Sequence, residues 1–349
     1  MHFLKSSVAI MAATALLGGC SALRQGPRVL PAINVVASVE TTPVGTSNAD
    51  AADDPAIWRN PSDPAGSLVV GTDKKAGLYV YGLDGKVRDF LAAGQLNNVD
   101  LVDVGSGALV VASDRGDPLQ SRFALFKLSP DGKLTALGKV ASGPGEAYGL
   151  CLQKHGASGN GEVTAYAAIK DGTVREFRLT PKGADRWAGQ LVRSWKLATQ
   201  IEGCVTNPRN GDLFIGEENI GIWKIRTGQE NPQPELYAAI GDADGLVADV
   251  EGLAIALQEG EPDYLVASSQ GDNAYALFDL ATGELAGRFR ISVGEIDGTS
   301  ETDGIEILTG DLPGFAGGLF VAQDGDNSPE AQNFKFVSWT EIKQAIGID

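Results

Sequence analysis

Basic side chains recur at one fixed offset in three successive repeats of this sequence. Lys74, Arg115 and Lys170 each lie six residues after the start of a short apolar stretch. Guanidinium and ammonium groups that converge on one point bind multiply charged oxyanions, phosphate above all. We therefore predict a phosphate-binding rim from these three residues. Close to the matching positions, the next three repeats carry Glu218, Gln270 and Gln323.

Acidic side chains occur at or beside the starts of predicted strands in the same repeats. Hard cations such as Ca²⁺ take about six to eight oxygen ligands, mainly from carboxylates, amide carbonyls and water. Acids from separate repeats can supply such a set at one centre, which predicts a calcium site. The candidates are Asp53, Asp54, Asp100, Glu202, Glu218, Asp249, Glu251, Asp297 and Asp303.

A long repeat built only from strands must position these side chains. Its leading residues are 45, 49, 54, 49 and 52 apart, at Asp54, Val99, Tyr148, Glu202, Glu251 and Asp303. This period, with a hairpin after each first strand, is typical of propeller blades. We predict an all-β fold, a six-bladed β-propeller over residues 49–349. The first strand of each blade would line the central channel, so that four of these acids, Asp54, Glu202, Glu251 and Asp303, ring its mouth.

The last repeat contains only three strands of its own, and the ring needs a fourth to close. The apolar stretch from Ile33 to Val39 has the composition of a strand. We predict that it completes the last blade, and that residues 20–48 otherwise form a short tether.

Residues 1–19 have the features of an export signal: basic residues, an apolar run and a small-residue end. The segment from Leu17 to Cys20 resembles a bacterial lipobox, which implies cleavage before Cys20 and lipidation of its thiol. We therefore expect an extracytoplasmic protein, either an outer-membrane lipoprotein or periplasmic, that contacts the membrane only through this anchor. The alternative is an ordinary secretory signal with an incidental cysteine.

Composition excludes several classes of function. A net charge of −17 repels nucleic acid and anionic lipid. The only histidine after the signal is His155, in a Gly-rich loop, so sites with several histidines are excluded and a Ser-His-Asp triad is disfavoured. Cys151 and Cys204 stand three and two residues after their repeat starts, so strict alternation would point them to opposite faces. We predict that both cysteines are small buried residues without a disulfide. We also expect the protein to be a monomer.

Ten segments of the chain together resemble the β-propeller phytases, from about Asp53 to Gly347. They are DDPAIW (53–58), TDKKAGLYVYGLDGK (72–86), LNNVDL (96–101), EAYGL (146–150), QIEG (200–203), IGEENIGIWK (215–224), DVEGL (249–253), ASSQGDNAYALFD (267–279), DGTSETDGIEIL (297–308) and FVAQDGDN (320–327). The resemblance implies a six-bladed propeller that hydrolyses phosphate monoesters of phytate, using several calcium ions and two neighbouring phosphate sites.

The resemblance also implies roles for individual residues. Calcium ligands at the cleavage site would be Asp53, Glu202, Glu218, Asp249, Glu251, Asp297 and Asp303, with Asp54, Asp100 and Gln323 in supporting metal sites. Lys74, Arg115 and Lys170 would hold phosphate, with Lys75 and Tyr148 alongside. The sequence departs from the family pattern at Asp73, where Asn is more familiar, and in the segment from Gly116 to Leu119.

The implied mechanism is attack of a metal-activated water in line on phosphorus, with a neutral to alkaline pH optimum and no histidine base. Two alternatives remain open from the residues. One is a six-bladed calcium lactonase, which also uses acids at a channel mouth but has no need of three cations. The other is a lipoprotein that binds calcium and phytate without catalysis.

Overall fold

Strands form nearly all of the regular structure in this protein. The computed structural model describes residues 31–47, 49–153, 161–183, 186–241 and 244–348. Within those ranges the chain forms twenty-five strands, two 3-10 turns and one helix, α1 (Trp339–Ile346). His155, Cys20 and the signal segment lie outside the described residues.

The strands follow one another blade by blade. Two short strands come first, β1 (Ile33–Val36) and β2 (Val39–Glu40). Blade 1 contains β3 (Ala52–Trp58), β4 (Leu68–Asp73), β5 (Gly77–Gly82) and β6 (Val87–Ala92). Blade 2 contains β7 (Leu96–Asp103), β8 (Ala108–Asp114), β9 (Gln120–Leu128) and β10 (Leu134–Pro144). Blade 3 contains β11 (Ala147–Gln153), β12 (Val163–Ile169), β13 (Thr173–Pro181) and β14 (Trp187–Lys196).

The second half of the ring repeats this pattern. Blade 4 contains β15 (Ile201–Thr206), β16 (Leu213–Glu217), β17 (Gly221–Ile225) and β18 (Pro234–Ala239). Blade 5 contains β19 (Val250–Ala256), β20 (Tyr264–Ser269), β21 (Ala274–Asp279) and β22 (Leu285–Ser292). Blade 6 contains β23 (Ile305–Thr309), β24 (Gly318–Asp324) and β25 (Asn333–Ser338). The consecutive strands of each blade form an antiparallel meander, and the first strand of each blade packs against the first strands of both neighbouring blades. The predicted six-bladed propeller is confirmed.

The blades stack face to face, which explains their composition. All six residues of β4 are buried, because neighbouring sheets cover both faces of a central strand. The outer strand β6, by contrast, mixes exposed and half-buried residues. Buried apolar side chains fill the spaces between adjacent blades, as in the cluster that joins Val70 and Val80 of blade 1 to Val110 and Phe126 of blade 2.

Two N-terminal strands close the ring, in two different blades. Val39 and Glu40 pair antiparallel with Phe336 and Lys335 of β25, so β2 is the fourth strand of blade 6, as predicted. Ile33–Val36 does not join that blade: β1 pairs in parallel with β22, at the outer edge of blade 5. The prediction was therefore wrong for β1, because Val35 is buried in the apolar cluster of blades 5 and 6, against Phe289 and Trp339.

The innermost strands approach one another closely at four glycines. A Cβ atom on Gly149 would lie 1.8 Å from the Glu202 carbonyl oxygen, and one on Gly203 would lie 2.0 Å from that of Glu251. Gly252 and Gly304 meet the next blade in the same way, each donating its N–H to a carbonyl at the start of that blade. Only glycine fits at these positions. The residue before each glycine, Tyr148, Glu202, Glu251 or Asp303, lines the mouth of the channel.

A disulfide joins the innermost strands of blades 3 and 4. Cys151 of β11 and Cys204 of β15 have Cα atoms 5.6 Å apart and are bonded. The prediction of two separate thiols was wrong because it assumed strict alternation. Each strand has a register shift between its leading residue and its cysteine, from Ala147 to Leu150 in β11 and from Ile201 to Cys204 in β15. Such irregularities re-aim the side chains that follow.

The helix α1 packs against β1, β22, β24 and β25, next to the N-terminal strands. Its Trp339 and Ile342 are buried. Among the described residues, no helix has the length and apolar character needed to cross a membrane.

Candidate metal and phosphate site

A polar cleft of about 650 Å³ opens at one end of the channel. Its floor comes from the innermost strands, and one wall comes from the loop between β24 and β25. Lys74, Tyr148, Gln200, Glu202, Glu218, Asp249, Glu251, Gln270, Glu301 and Asp303 line it, together with residues 325–332. Carboxylates from blades 4, 5 and 6 thus share one space with a cation from blade 1.

Three glutamates form the centre of the cleft. Glu202, Glu218 and Glu251 each offer a carboxylate oxygen within 4.8 Å of the other two. All three side chains are buried. Burial and the neighbouring carboxylates raise the pKa values of Glu202 and Glu251 well above the ordinary range of a glutamate, and burial also raises the pKa of Glu218. Negative charge confined in this way favours a bound cation.

Lys74 contacts the aspartates beside this centre. Its Nζ lies 2.8 Å from Asp50 Oδ1, 2.8 Å from Asp53 Oδ1 and 3.0 Å from Asp303 Oδ2. Burial alone would lower the pKa of this ammonium group. The three carboxylates outweigh it, and together they raise the pKa well above the usual lysine value. Burial and Asp53 raise the pKa of Asp303 to about 7, against the opposing effect of Lys74.

Amide side chains orient two of the acids. Gln200 Nε2 donates to Glu218 Oε1 at 2.6 Å, and Gln270 Nε2 donates to Asp303 Oδ1 at 2.8 Å. Such hydrogen bonds fix the rotamers of ligating carboxylates. Asp249 lines the same part of the cleft, and its charge raises the pKa of Glu218 further.

Two more cations meet at one aromatic ring. The Arg115 Cζ lies 5.3 Å and the Lys170 Nζ lies 4.9 Å from the centre of the Tyr148 ring. Arg115 Nη2 also contacts Glu146 Oε1 at 2.7 Å. Burial, followed by the charge of Glu202, raises the pKa of the Tyr148 hydroxyl, so it stays protonated at physiological pH. The three cations at the common offset are thus grouped around the cleft.

Other residues of the predicted set lie elsewhere. Asp54 and Asp100 face a narrow passage of about 20 Å³ along the channel axis, also lined by Glu306. Asp54 Oδ2 accepts the Val99 N–H at 2.9 Å, and Asp100 Oδ2 accepts the Leu152 N–H at 2.8 Å. Asp54 therefore does not ring the mouth with the other blade-leading acids.

Asp297 lies in a separate cluster, where it contacts Lys335 together with Glu40 and Asn327. Both ends of the Gln323 amide form hydrogen bonds, since the oxygen accepts the Asp303 N–H at 2.9 Å and the nitrogen donates to the Ala52 carbonyl at 3.1 Å. Lys75 follows Lys74 in the turn after β4 and does not line the cleft.

The donor set fits a hard divalent cation. Among the described residues, Asp53 Oδ2 and Glu251 Oε2 are buried and accept no hydrogen bond. Buried carboxylate oxygens are rarely left without a partner. Glu251 belongs to the glutamate centre, and Asp53 contacts Lys74 next to it. The surrounding donors are oxygens of carboxylates, as calcium and magnesium prefer.

Sequence reasoning missed several residues of the cleft. Asp50, Gln200 and Glu301 line it, as does the loop of residues 325–332. Gln200 stands two residues before Glu202 in the segment QIEG, and that spacing is the signal which could have identified it. The loop carried no comparable signal, because its place depends on how blade 6 meets blade 1.

The chain is similar to proteins of known sequence and structure. A 3-phytase from Bacillus subtilis (strain 168) is 36% identical over 330 residues, covering 90% of this chain and 85% of that protein. Among solved structures, a chain of "Crystal Structure of Mitotic Checkpoint Complex" aligns with a TM-score of 0.51 and 13% identity over 89% of this chain and 84% of that one, a likeness of fold alone. A functionally unknown protein from Desulfotomaculum acetoxidans DSM 771 aligns with a TM-score of 0.47 and 16% identity, covering 67% of this chain and 70% of that one. Residues 5–349 match the model of the family named Phytase, and the chain therefore belongs to the phytase family.

Proposed function

We propose that this protein is a calcium-dependent phytase, which hydrolyses phosphate monoesters of phytate by in-line attack of water. One observation carries the proposal: a buried centre of three glutamates shares its cleft with Lys74 and with Tyr148, on which Arg115 and Lys170 converge. The 3-phytase of Bacillus subtilis, at 36% identity, supports the choice of substrate.

The acids of the cleft would hold calcium. Glu202, Glu218 and Glu251 are the central candidates, with Asp53, Asp249 and Asp303 beside them. Calcium bound there supplies positive charge that offsets the repulsion between a phosphate dianion and an approaching water, and it lowers the pKa of that water.

The protein's own cations act on the phosphate. Lys74, Arg115 and Lys170 carry fixed positive charges that attract a phosphate group and stabilise the charge on its oxygens in the transition state. Tyr148 keeps Arg115 and Lys170 together through contacts with its ring face. The hydroxyl of Tyr148 remains a hydrogen-bond donor, because its pKa is raised.

Orthophosphate release from phytate tests the proposal. Purified protein is assayed with calcium, then with excess chelator, then with calcium restored. We expect release that stops on chelation and returns on restoration. Glu218→Gln should abolish it, whereas Glu235→Gln, on an outer strand and ion-paired with Arg226, should leave it unchanged. Calcium-dependent binding of phytate without orthophosphate release would contradict hydrolysis.

We also propose that the protein works outside the cytoplasm, as a lipoprotein anchored through Cys20. The Cys151–Cys204 disulfide supports the extracytoplasmic location, since such bonds persist in oxidising compartments. Mass spectrometry of the N-terminal peptide from membrane fractions tests the anchor, and an unmodified Cys20 in a soluble fraction would contradict it.

A further inference from the structure

Asn97 lies between the metal centre and a phosphate-binding cation. It is fully buried at the start of β7, in blade 2. Its Nδ2 donates to Glu202 Oε1 in blade 4 at 2.5 Å, and its Oδ1 accepts from Nη1 of Arg115. No other side chain among the described residues is recorded bonding both groups.

The orientation of this amide follows from its partners. A guanidinium can only donate hydrogen bonds, so the oxygen of Asn97 must face Arg115. The NH₂ group then faces Glu202, whose carboxylate can accept. Both ends of the amide are therefore specified, and the opposite assignment would place donors against donors and acceptors against acceptors.

Arg115 is held at two points. Nη1 bonds Asn97 and Nη2 bonds Glu146 Oε1 at 2.7 Å, while the guanidinium carbon stands over the Tyr148 ring. Glu146 is on the exposed side of this group, and Asn97 is on the buried side, towards Glu202. Asn97 therefore holds the Arg115 guanidinium at a defined distance from the Glu202 carboxylate.

We propose that Asn97 is a positioning residue that fixes the separation between the phosphate-binding Arg115 and the metal-binding Glu202. The inference rests on the proposed function, and it assigns a role to a residue that is itself too buried to touch substrate. Removing the amide would take one hydrogen bond from Glu202 Oε1 and one from Arg115 Nη1, and each group could then turn away from the geometry that the other requires.

Three variants measure this coupling: Asn97→Ala, Arg115→Ala and the double variant. The readouts are the calcium dissociation constant by calorimetry without substrate, and the inhibition constant of inorganic phosphate at saturating calcium. Loss of a residue that orients a metal ligand typically weakens metal binding about 10- to 100-fold, and we expect at least about tenfold for Asn97→Ala. We expect phosphate inhibition to weaken about tenfold as well. In the Arg115→Ala background, Asn97→Ala should change phosphate inhibition by less than about twofold while still weakening calcium binding.

Gln270→Ala is the matched control. It removes an amide donor from Asp303 in the same cleft, but Gln270 bonds none of the three cations in the described residues. We expect weaker calcium binding and a smaller loss of phosphate inhibition than Asn97→Ala causes, because Gln270 reaches the cations only through the contact between Asp303 and Lys74. Asn97→Asp keeps an oxygen for Arg115 but places a carboxylate oxygen against Glu202 Oε1, where the amide donated. It should therefore retain more phosphate inhibition than Asn97→Ala while still weakening calcium binding, which separates positioning from a folding defect.

Two results overturn the proposal. One is an Asn97→Ala protein whose calcium and phosphate constants match the wild type. The other is an equal loss of phosphate inhibition from Asn97→Ala in the presence and absence of Arg115, which indicates a general structural effect. A wild-type protein that binds no calcium or releases no orthophosphate from phytate refutes the proposed function instead, so the two failures are distinct.

Discussion

At the scale of single residues, the cleft joins two kinds of charge that are costly to bury alone. Carboxylates from blades 4, 5 and 6 lie beside Lys74, while Arg115 and Lys170 contact the ring of Tyr148. A buried charge is stable only when it is paired or when it binds an ion. An ion that binds in this cleft should therefore both strengthen phosphate binding and stabilise the folded protein.

Arg115→Ala should reduce kcat/KM for phytate by about 100-fold, because one cation that stabilises transition-state charge is lost. The melting temperature should change by less than about 2 °C, since the Arg115 side chain is 22% exposed and lies at the rim. Steady-state kinetics and calorimetry on one preparation check both values. Arg226→Ala, at an exposed ion pair just after β17, is the control. Parallel losses of activity and melting temperature would mean that Arg115 is structural.

The raised pKa of Asp303 predicts how stability depends on pH in the presence of chelator. A folded-state pKa of about 7, above the ordinary 3.8, means that the contribution of this group is present below about pH 4 and is lost as pH rises to 7. The loss is on the order of 4 kcal/mol for a group buried among like charges. Denaturant unfolding with chelator should therefore show the free energy of unfolding falling between pH 4 and 7. Saturating calcium should flatten that fall, and an identical profile with and without calcium would contradict the assignment.

At the scale of elements, the innermost strands decide where the acids point. Gly203→Ala would place a Cβ 2.0 Å from the Glu251 carbonyl oxygen, so β15 and β19 must separate. We expect a loss of at least ~3 kcal/mol in the free energy of unfolding, together with weaker calcium binding. Gly228→Ala is the matched control, because a Cβ there meets no atom within 4 Å. Unfolding curves and calcium calorimetry test the pair, and equal tolerance of both substitutions would be evidence against the close approach.

The disulfide acts on the same two blades. Cys151 and Cys204 are 53 residues apart, and closing a loop of that length stabilises a fold by about 4 kcal/mol in the chain-entropy estimate. The double variant Cys151→Ala/Cys204→Ala should melt at a lower temperature than the wild type. A thiol reductant should lower the melting temperature of the wild type and leave that of the double variant unchanged. If the melting temperature of the wild type stays the same once its disulfide is fully reduced, the disulfide does not stabilise the fold.

The blades and many positions in the cleft could be predicted from the sequence, because equivalent residues of successive repeats occupy equivalent places in the ring. Lys74, Arg115 and Lys170, which are selected by their common offset, lie in the cleft or against Tyr148. Glu202, Glu251 and Asp303, which are selected as repeat starts, line the cleft. Counting failed where strands are irregular: register shifts in β3, β11 and β15 sent Asp54 into the channel and brought Cys151 to Cys204. Gln200 and residues 325–332 could not be identified by periodicity, since their places depend on contacts between blades.

At the scale of the whole molecule, the seam between the two ends of the chain is a distinct region. Lys335 is buried there, and its ammonium group contacts Glu40, Asp297 and Asp324. Burial disfavours the charged form of this lysine, but its hydrogen bonds to Asp297 and Glu40 and the charge of Asp324 together raise its pKa. Glu40 belongs to β2, so the N-terminal strand supplies both backbone pairing and charge to blade 6.

A chain that begins at Thr41 should therefore be less stable than one that begins at Pro31. The shorter chain exposes the edge of β25, uncovers the apolar surface beneath Val35 and deprives Lys335 of Glu40. We expect a loss of about 3 kcal/mol or more in the free energy of unfolding, measured by denaturant titration of both chains. Equal stability would show that blade 6 does not depend on β2.

Because Val39 pairs with Phe336, the ring cannot close until nearly the whole chain has been synthesised. Ribosomes add about 5–20 residues per second, so the roughly 300 residues between these partners take on the order of 15–60 s to emerge. Until both partners have emerged, β25 is missing and the ring cannot close, whether the chain folds during synthesis or after export. A premature stop codon before Phe336 would yield an arc that never closes, with an exposed strand edge able to recruit other unfinished copies.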